Sequence, residues 1–338
     1  MASKTILILG GGVGGIVTAN ALAKRLKPEH RIIVVDKNAR HEFAPSFLWV
    51  MIGARKPEQV ATDLHRLLHP RVEFVQAEVM QLDVSAQKAM TSESVINFDY
   101  LVFALGAGLA PNAVTGLAQS AHTSYTLAGA TKLWEAVQQF KGGRVAVVVA
   151  RLPFKCPAAP YETALLLKSA FDERKVSVQM DLYTPEPLPM PVAGPTVGGE
   201  LKGIVEQAGI AYHPLTQLQT VDGAKRELTF TNASSASYDL LVAIPPHVGS
   251  RVAREAGLTN EAGWIPVDGA TLKTKHANIF AIGDATAIAL QGRWKPDVPL
   301  LLPKAGVFAH AQGEVVAANI AAELESQTPS AAFDGHGY

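Results

Sequence analysis

Short runs of continuous apolar residues recur along the chain, at positions 5–9, 31–35, 100–104, 144–149, 177–183, 240–244 and 278–282. They are rich in Val, Ile and Leu and do not alternate with polar residues. That is the pattern of strands buried on both faces of a parallel sheet. Between them lie stretches of helical character, at 15–26, 128–140, 160–174, 198–207 and 306–325. Strands alternating with helices predict an α/β fold of parallel sheets covered by helices. Pro185, Pro187, Pro189, Pro191 and Pro195 predict an extended loop after one strand. Pro296, Pro299 and Pro303 mark another loop, and the small polar stretch 232–237 predicts a hairpin tip.

The chain has 338 residues, enough for two average domains. Hydrophobic residues at 48% and charged residues at 18% exclude a disordered chain. Thirty basic residues balance thirty acidic ones, and the absence of a basic excess excludes a nucleic-acid binder. Cys156 is the only cysteine, which rules out an internal disulfide framework and a cysteine-rich metal site. His41, His247, His276 and His310 are scattered without ligand spacing, so no metal is assigned.

Lys4 and the apolar stretch up to Ala23 imitate a secretory signal, but the glycines between Gly10 and Gly15 interrupt the continuous apolar helix that a signal needs. No stretch reaches about 18 uninterrupted apolar residues, so no transmembrane helix is predicted. With no signal peptide, a cytoplasmic or peripheral-membrane location is favoured over secretion.

The most specific chemistry starts at the first strand. Ile6-Leu7-Ile8-Leu9 leads into Gly10-Gly11-Gly12-Val13-Gly14-Gly15 and an alanine-rich helix. In this G-x-G-x-x-G pattern Gly10 permits the tight turn, Gly12 lets the backbone approach a pyrophosphate, and Gly15 allows close helix–strand packing. The helix amino terminus offers free N–H groups to phosphate. Asp36, followed by Lys37, closes the next strand 21 residues after Gly15, where a carboxylate accepts hydrogen bonds from ribose hydroxyls. An acidic residue there favours an unphosphorylated ribose, as in FAD or NAD.

Two further segments resemble flavoprotein motifs. Asp99-Tyr100-Leu101-Val102-Phe103-Ala104-Leu105-Gly106 resembles the second motif of flavoproteins with two dinucleotide-binding domains, Leu105 standing where threonine is common. Ile279-Phe280-Ala281-Ile282-Gly283-Asp284 resembles the flavin-binding G-D motif, whose aspartate binds the ribityl chain. With these motifs in order, the chain resembles FAD proteins of the pyridine nucleotide–disulfide oxidoreductase superfamily over nearly its full length. The resemblance implies two Rossmann-like domains. The expected division is an FAD domain over 1–112 and 257–318, a second Rossmann-like domain over 113–256, and the start of a carboxy-terminal segment over 319–338.

Two features of the superfamily are missing. The stretch 41–49 has no cysteine pair, so a dithiol–flavin relay is excluded. After the strand at 144–149 the stretch 150–160 has no glycine to admit a pyrophosphate. Instead, Pro153-Phe154-Lys155-Cys156-Pro157 with Pro160-Tyr161-Glu162 resembles the catalytic-cysteine segment of sulfide:quinone oxidoreductases and flavocytochrome c sulfide dehydrogenase flavoproteins. Supporting matches are Tyr183-Thr184-Pro185-Glu186, Ile244-Pro245-Pro246-His247, Gly263-Trp264-Ile265 and Leu302-Pro303-Lys304-Ala305-Gly306.

The resemblance implies oxidation of a small sulfur donor at Cys156, with electrons passing through FAD to a quinone or a c-type cytochrome. Glu162 is a candidate proton acceptor; its alternative is an exposed carboxylate at a helix start. Lys304 would place positive charge near the flavin, or else be a plain surface lysine. The implied cofactor residues are Gly10, Gly12, Gly14, Gly15, Asp36, Lys37, Ala104, Gly106, Gly283, Asp284 and Lys304. Peripheral membrane association and a homodimer are left open. The usual sulfur relay has two cysteines. The stretch 122–126 lacks one of them, and relatives place another after the counterpart of 333–338, so a longer natural chain and a Cys156 working without an internal partner both stay open. Two other readings are kept: an FAD-dependent NAD(P)H oxidoreductase with an atypical nicotinamide site, and a catalytically idle flavin-binding partner subunit.

Overall fold

The computed structural model describes residues 3–295 and 298–337. Its two larger parallel sheets and the helices that accompany them comprise β1 (Thr5–Leu9), α1 (Val13–Arg25), β2 (Arg31–Asp36), β3 (Val72–Gln76), β4 (Tyr100–Phe103), α2 (Leu127–Gln139), β5 (Gly143–Val149), α3 (Ala159–Glu173), β6 (Val178–Tyr183), α4 (Gly194–Gln207), β7 (Ile210–His213), β8 (Leu240–Ile244), β9 (Ile279–Ala281) and α5 (Gly306–Leu324). The fold is α/β with parallel sheets and helices.

The chain divides into two compact units. The first comprises the residues up to His41, Thr62–Gly108, and those from Val248 on. Its sheet runs β9-β4-β1-β2-β3, all parallel. Successive side chains of a strand face opposite ways, and both faces are covered. Ile6, Ile8, Ile32, Val34 and Phe280 pack with Leu22 of α1 and with Val316 and Ile320 of α5. Leu7, Leu9, Ile33, Val35 and Phe103 pack with Val79, Leu82 and Ala89 of the antiparallel meander Val79–Asp83, Lys88–Thr91 and Val95–Asn97. Two-sided burial is why these strands read as continuous apolar runs. Each fully buried aliphatic side chain contributes about 1.5–3 kcal/mol.

The second unit comprises Glu42–Ala61 and Leu109–His247. Its sheet runs β7-β6-β5-β8, again parallel. Val145, Val147, Val149, Leu182 and Val242 face Leu133 and Val137 of α2 and Leu167 and Phe171 of α3. Ala146, Val148, Leu241 and Ala243 face Leu218, Leu228 and Phe230 of a second antiparallel meander.

Several boundaries differ from the sequence prediction. Residues 42–61, predicted within the first domain, belong to the second unit because Phe47, Leu48, Val50 and Met51 are buried in the same cluster as Val145 and Leu167. Residues 248–256, predicted in the second domain, pack in the first unit, where Val252 and Ala253 join Leu7 and Phe103. Residues 319–338, predicted as a separate segment, begin inside α5, and Ile320 and Phe333 join the first unit's core. The proline-marked loop ends earlier than predicted: α4 starts at Gly194, with Pro195 in its first turn, where no intrahelical N–H is required. Pro296 lies outside the described residues, and Pro299 lies in the strand Val298–Leu301, which pairs antiparallel with Ala289–Lys295. The predicted hairpin tip at 232–237 gives way to a strand at Ser235–Ser237.

Candidate functional site

In the first unit the predicted cofactor residues converge. The parallel register sets Leu9 opposite both Val35 and Phe103, and Phe103 opposite Ala281. Gly10, Asp36, Ala104 and the Gly283 turn therefore emerge at one level, at the carboxyl ends of β1, β2, β4 and β9. The chain order reverses around β1, whose neighbours are β2 and β4, and such a switch point opens a crevice for a ligand.

The glycines are needed there for separate reasons. Gly10 has φ +109°, and a Cβ on it would meet the Ala104 carbonyl oxygen at 2.4 Å. A Cβ on Gly15 would fall 1.9 Å from the Gly10 carbonyl oxygen, and one on Gly14 would meet the Ile282 side chain at 2.8 Å. Gly12 is different: nothing lies within 4 Å of a Cβ there, so it faces open space at the amino terminus of α1. No side chain caps that helix end, and its first turn carries no acidic residue. Open space before uncapped N–H groups fits a pyrophosphate.

Asp36 is tied down by its own backbone surroundings. Its carboxylate accepts from the Gly11 N–H at 2.7 Å and the Asn38 N–H at 2.8 Å. Each carboxylate oxygen keeps further acceptor capacity for a ribose hydroxyl. Lys37 beside it is exposed. Gly106, with φ +66°, faces open space like Gly12.

Lys304 is not a surface lysine. It is buried, and its ammonium donates to the carbonyls of Asp284 (2.7 Å) and Thr286 (3.0 Å) while lying 3.6 Å from the centre of the Trp264 ring. Burial lowers its pKa to about 8, against a smaller opposing effect of Asp284. Its evident work is to hold the turn that carries Gly283 and Asp284. Thr286 adds a bond from its hydroxyl to the Gly283 carbonyl at 2.8 Å.

Cys156 and Glu162 stand in the second unit, on the turn from β5 to α3 and the first turn of α3. Cys156 is half-buried and takes φ +55°, a left-handed conformation unusual for a residue with a Cβ. The Tyr125 hydroxyl donates to the carbonyl of the preceding Lys155 at 2.8 Å. The Tyr125 ring meets His247 edge-on, 5.4 Å between centroids. The Arg151 guanidinium is spent on the carbonyls of Ala150 and Leu218. Glu162 is exposed, yet partial desolvation raises its carboxyl above its ordinary pKa.

This turn differs from the Gly10–Gly15 turn in charge as well as shape. Glu162 sets a carboxylate in the first turn of α3, where a dinucleotide would set its phosphates. Glu186, just beyond β6, is buried, and its carboxylate accepts from the Tyr161 hydroxyl at 2.5 Å and the Thr184 hydroxyl at 3.3 Å. Sequence reasoning placed Glu186 in a motif without seeing this bond, and it missed Tyr125. No pattern marks either pairing, since 25 residues separate Tyr161 from Glu186 and 30 separate Tyr125 from Lys155. Among the described residues no cluster of His, Cys, Asp and Glu could hold a metal ion. No helix of the described residues is long and apolar enough to cross a membrane.

Comparison with known proteins agrees with this geometry. Residues 4–313 match the pyridine nucleotide-disulphide oxidoreductase family. The chain is similar to the mitochondrial sulfide:quinone oxidoreductase of Mus musculus, 24% identical over 98% of this chain and 74% of the relative. It is also similar to a type II NADH:quinone oxidoreductase of Staphylococcus aureus, 26% identical over 96% of this chain and 84% of the relative. The solved sulfide:quinone oxidoreductase of Aquifex aeolicus shares its fold, with a TM-score of 0.84 at 23% identity over 96% of this chain and 78% of that one. The chain belongs to the pyridine nucleotide-disulphide oxidoreductase family and is a flavin-dependent oxidoreductase with FAD as its cofactor.

Proposed function

We propose that this flavoenzyme oxidises sulfide or another small sulfur nucleophile and delivers the electrons to a quinone, with a c-type cytochrome as the alternative acceptor. The observation that carries the proposal is Cys156 itself. The chain's one cysteine stands in the turn between strand and helix of the second Rossmann-like unit, where a nicotinamide-binding unit needs glycine. Relatives named as sulfide:quinone oxidoreductases support the donor and the quinone. Peripheral association with a membrane and a homodimer are part of the same proposal, as properties to be measured.

FAD, when bound, supplies the capacity to accept two electrons and pass them on. Gly12 and the uncapped end of α1 would hold its pyrophosphate, Asp36 its adenosine ribose, and the Gly283–Asp284 turn its ribityl chain. The turn from Ala150 to Ala158 presents Cys156 as the sulfur nucleophile, reactive as thiolate. Glu162, six residues on with its pKa raised by partial burial, takes up the proton that the thiol or the incoming hydrosulfide releases. Glu186, bonded at Oε2 by Tyr161, is buried at 4% exposure and so is kept from a nicotinamide ribose, which argues against the NAD(P)H reading.

The test is an anaerobic titration of the FAD-loaded protein with sulfide and, separately, with NADH. Sulfide should bleach the flavin band of the wild type. Cys156→Ser should keep FAD and lose the response. Bleaching by NADH alone would establish the nicotinamide reading instead. Bound flavin untouched by either donor would identify a partner subunit.

A further inference from the structure

We infer that Gln312 is a flavin-anchoring residue, its side-chain amide donating to an oxygen of the ribityl–pyrophosphate part of FAD. Gln312 lies in the second turn of α5, is 1% exposed, and accepts the Gly283 N–H at its Oε1 across 2.6 Å. That bond fixes the orientation of the amide, because only the oxygen can accept from a backbone N–H. The Nε2 end then carries two hydrogens and, among the described residues, meets no acceptor. A buried amide left in that state costs about 1–3 kcal/mol, and folded proteins seldom leave one. The acceptor is therefore a group that the polypeptide does not supply.

Its chemistry follows from the surroundings. Gln312 lines a narrow pocket with Gly283, Thr286, Lys304, Ala305 and Phe308, and no carboxylate is among the lining residues. What the pocket offers is the Gln312 amide and the amino terminus of the 19-residue α5, which no side chain caps, with the charge of Lys304, already bonded to two carbonyls, beside them. Such a set selects an oxygen-rich or anionic ligand. Gln312 and Lys304 brace one turn from two sides, through the Gly283 N–H and the Asp284 carbonyl. Gln312 thus couples that turn to the bound dinucleotide. The inference rests on FAD as cofactor and is independent of the sulfur donor, so a failed sulfide titration leaves it standing.

Gln312→Glu tests it, because a carboxylate still accepts from Gly283 but cannot donate at the Nε2 position. Dissociation of FAD from the holoprotein, followed by recovery of free-flavin fluorescence on dilution, should show an at least tenfold higher Kd. Gln312→Met, which loses both bonds, should weaken binding as well. If neither variant folds, wild-type protein with 15N-labelled glutamine gives the answer. One side-chain amide pair should shift on adding FAD to protein from which it has been removed. A Kd within twofold of wild type for Gln312→Glu, or glutamine amide signals unmoved by FAD, would overturn the inference and leave an ordered water as the acceptor.

Discussion

The Tyr161 hydroxyl and the Glu186 carboxylate meet at 2.5 Å in the interior of the second unit, so the chain uses on itself the acidic group that follows β6. In the first unit the corresponding group, Asp36, is half-buried and accepts from the backbone N–H groups of Gly11 and Asn38. One α/β pattern thus carries an open glycine turn in the first unit and a closed polar pair in the second. Part of the difference lies in the first turn of α3, where Pro160, Tyr161 and Glu162 stand at the helix positions that Gly14, Gly15 and Ile16 occupy in α1.

Burial raises the Glu186 pKa from 4.5 to about 7, against the opposing pull of its hydrogen bonds from Tyr161 and Thr184. Below pH 4.5 both folded and unfolded chains hold the proton. Between 4.5 and about 7 the folded chain keeps a proton that the unfolded chain has lost, so stability falls as pH rises, and above 7 the loss is complete. The span corresponds to a loss on the order of 3 kcal/mol. Urea unfolding from pH 4.5 to 8 should show this decline in the wild type and a flatter profile in Glu186→Gln. Parallel profiles would mean that Glu186 does not titrate in this range.

The opposite slope is expected at alkaline pH. With the Lys304 pKa lowered from 10.5 to about 8, the folded chain releases a proton above pH 8 that the unfolded chain still binds. Stability from this group therefore rises between pH 8 and 10.5. Lys304→Met removes the rise and leaves the Asp284 and Thr286 carbonyls without its ammonium. Thermal unfolding of the two proteins at pH 8 and pH 10 should bring wild type and variant to different pH slopes; equal slopes would place the ammonium in water.

Gly12 and Gly15 separate cofactor binding from folding. Gly15→Ala drives a Cβ into the Gly10 carbonyl and should lower the stability of the apoprotein by several kcal/mol or prevent folding. Gly12→Ala meets nothing in the protein, so the apoprotein should keep its Tm within about 2 °C while FAD binding weakens at least tenfold. Undiminished FAD binding by Gly12→Ala, followed by flavin fluorescence, would remove Gly12 from the cradle.

The strands that the sequence announces are those buried on both faces. β1, β5 and β8 lie inside their sheets or under full cover, and their runs of Ile, Val and Leu need no partner to be recognised. The missed strands β3 and β7 are each one edge of a sheet with part of its length exposed, whereas the opposite edges, β9 and β8, are buried throughout and were read. In Val72-Glu73-Phe74-Val75-Gln76 exposed polar residues break the run, and β7 is four residues long. The glycine turn between β1 and α1 was legible because backbone geometry forces glycine at Gly10 and Gly15. Tyr125, Tyr161 and Gln312 act through tertiary pairing across 25 residues or more, which leaves no local trace.

The Tyr125–Lys155 bond is expected to keep the turn before Cys156 in place. Tyr125→Phe removes one hydrogen bond to a carbonyl, which costs about 0.5–1.5 kcal/mol. Alkylation of Cys156 by iodoacetamide should accelerate several-fold as the turn gains freedom. A stability loss without any change in alkylation rate would confine Tyr125 to a packing role.

The left-handed backbone of Cys156 gives a test of the turn that needs neither cofactor nor donor. At φ +55° a Cβ costs about 1–2 kcal/mol, a cost absent in glycine. Cys156→Ala and Cys156→Gly both remove the sulfur, so the difference between them isolates the backbone term. In an ordinary extended or right-handed position the glycine variant would be the less stable, because its unfolded chain is freer. In this turn the order should reverse, with Cys156→Gly more stable than Cys156→Ala by about 1 kcal/mol in urea unfolding. The ordinary order would show that the residue at 156 relaxes out of the left-handed region, and that the thiol is not held at the angle on which its place in the turn depends.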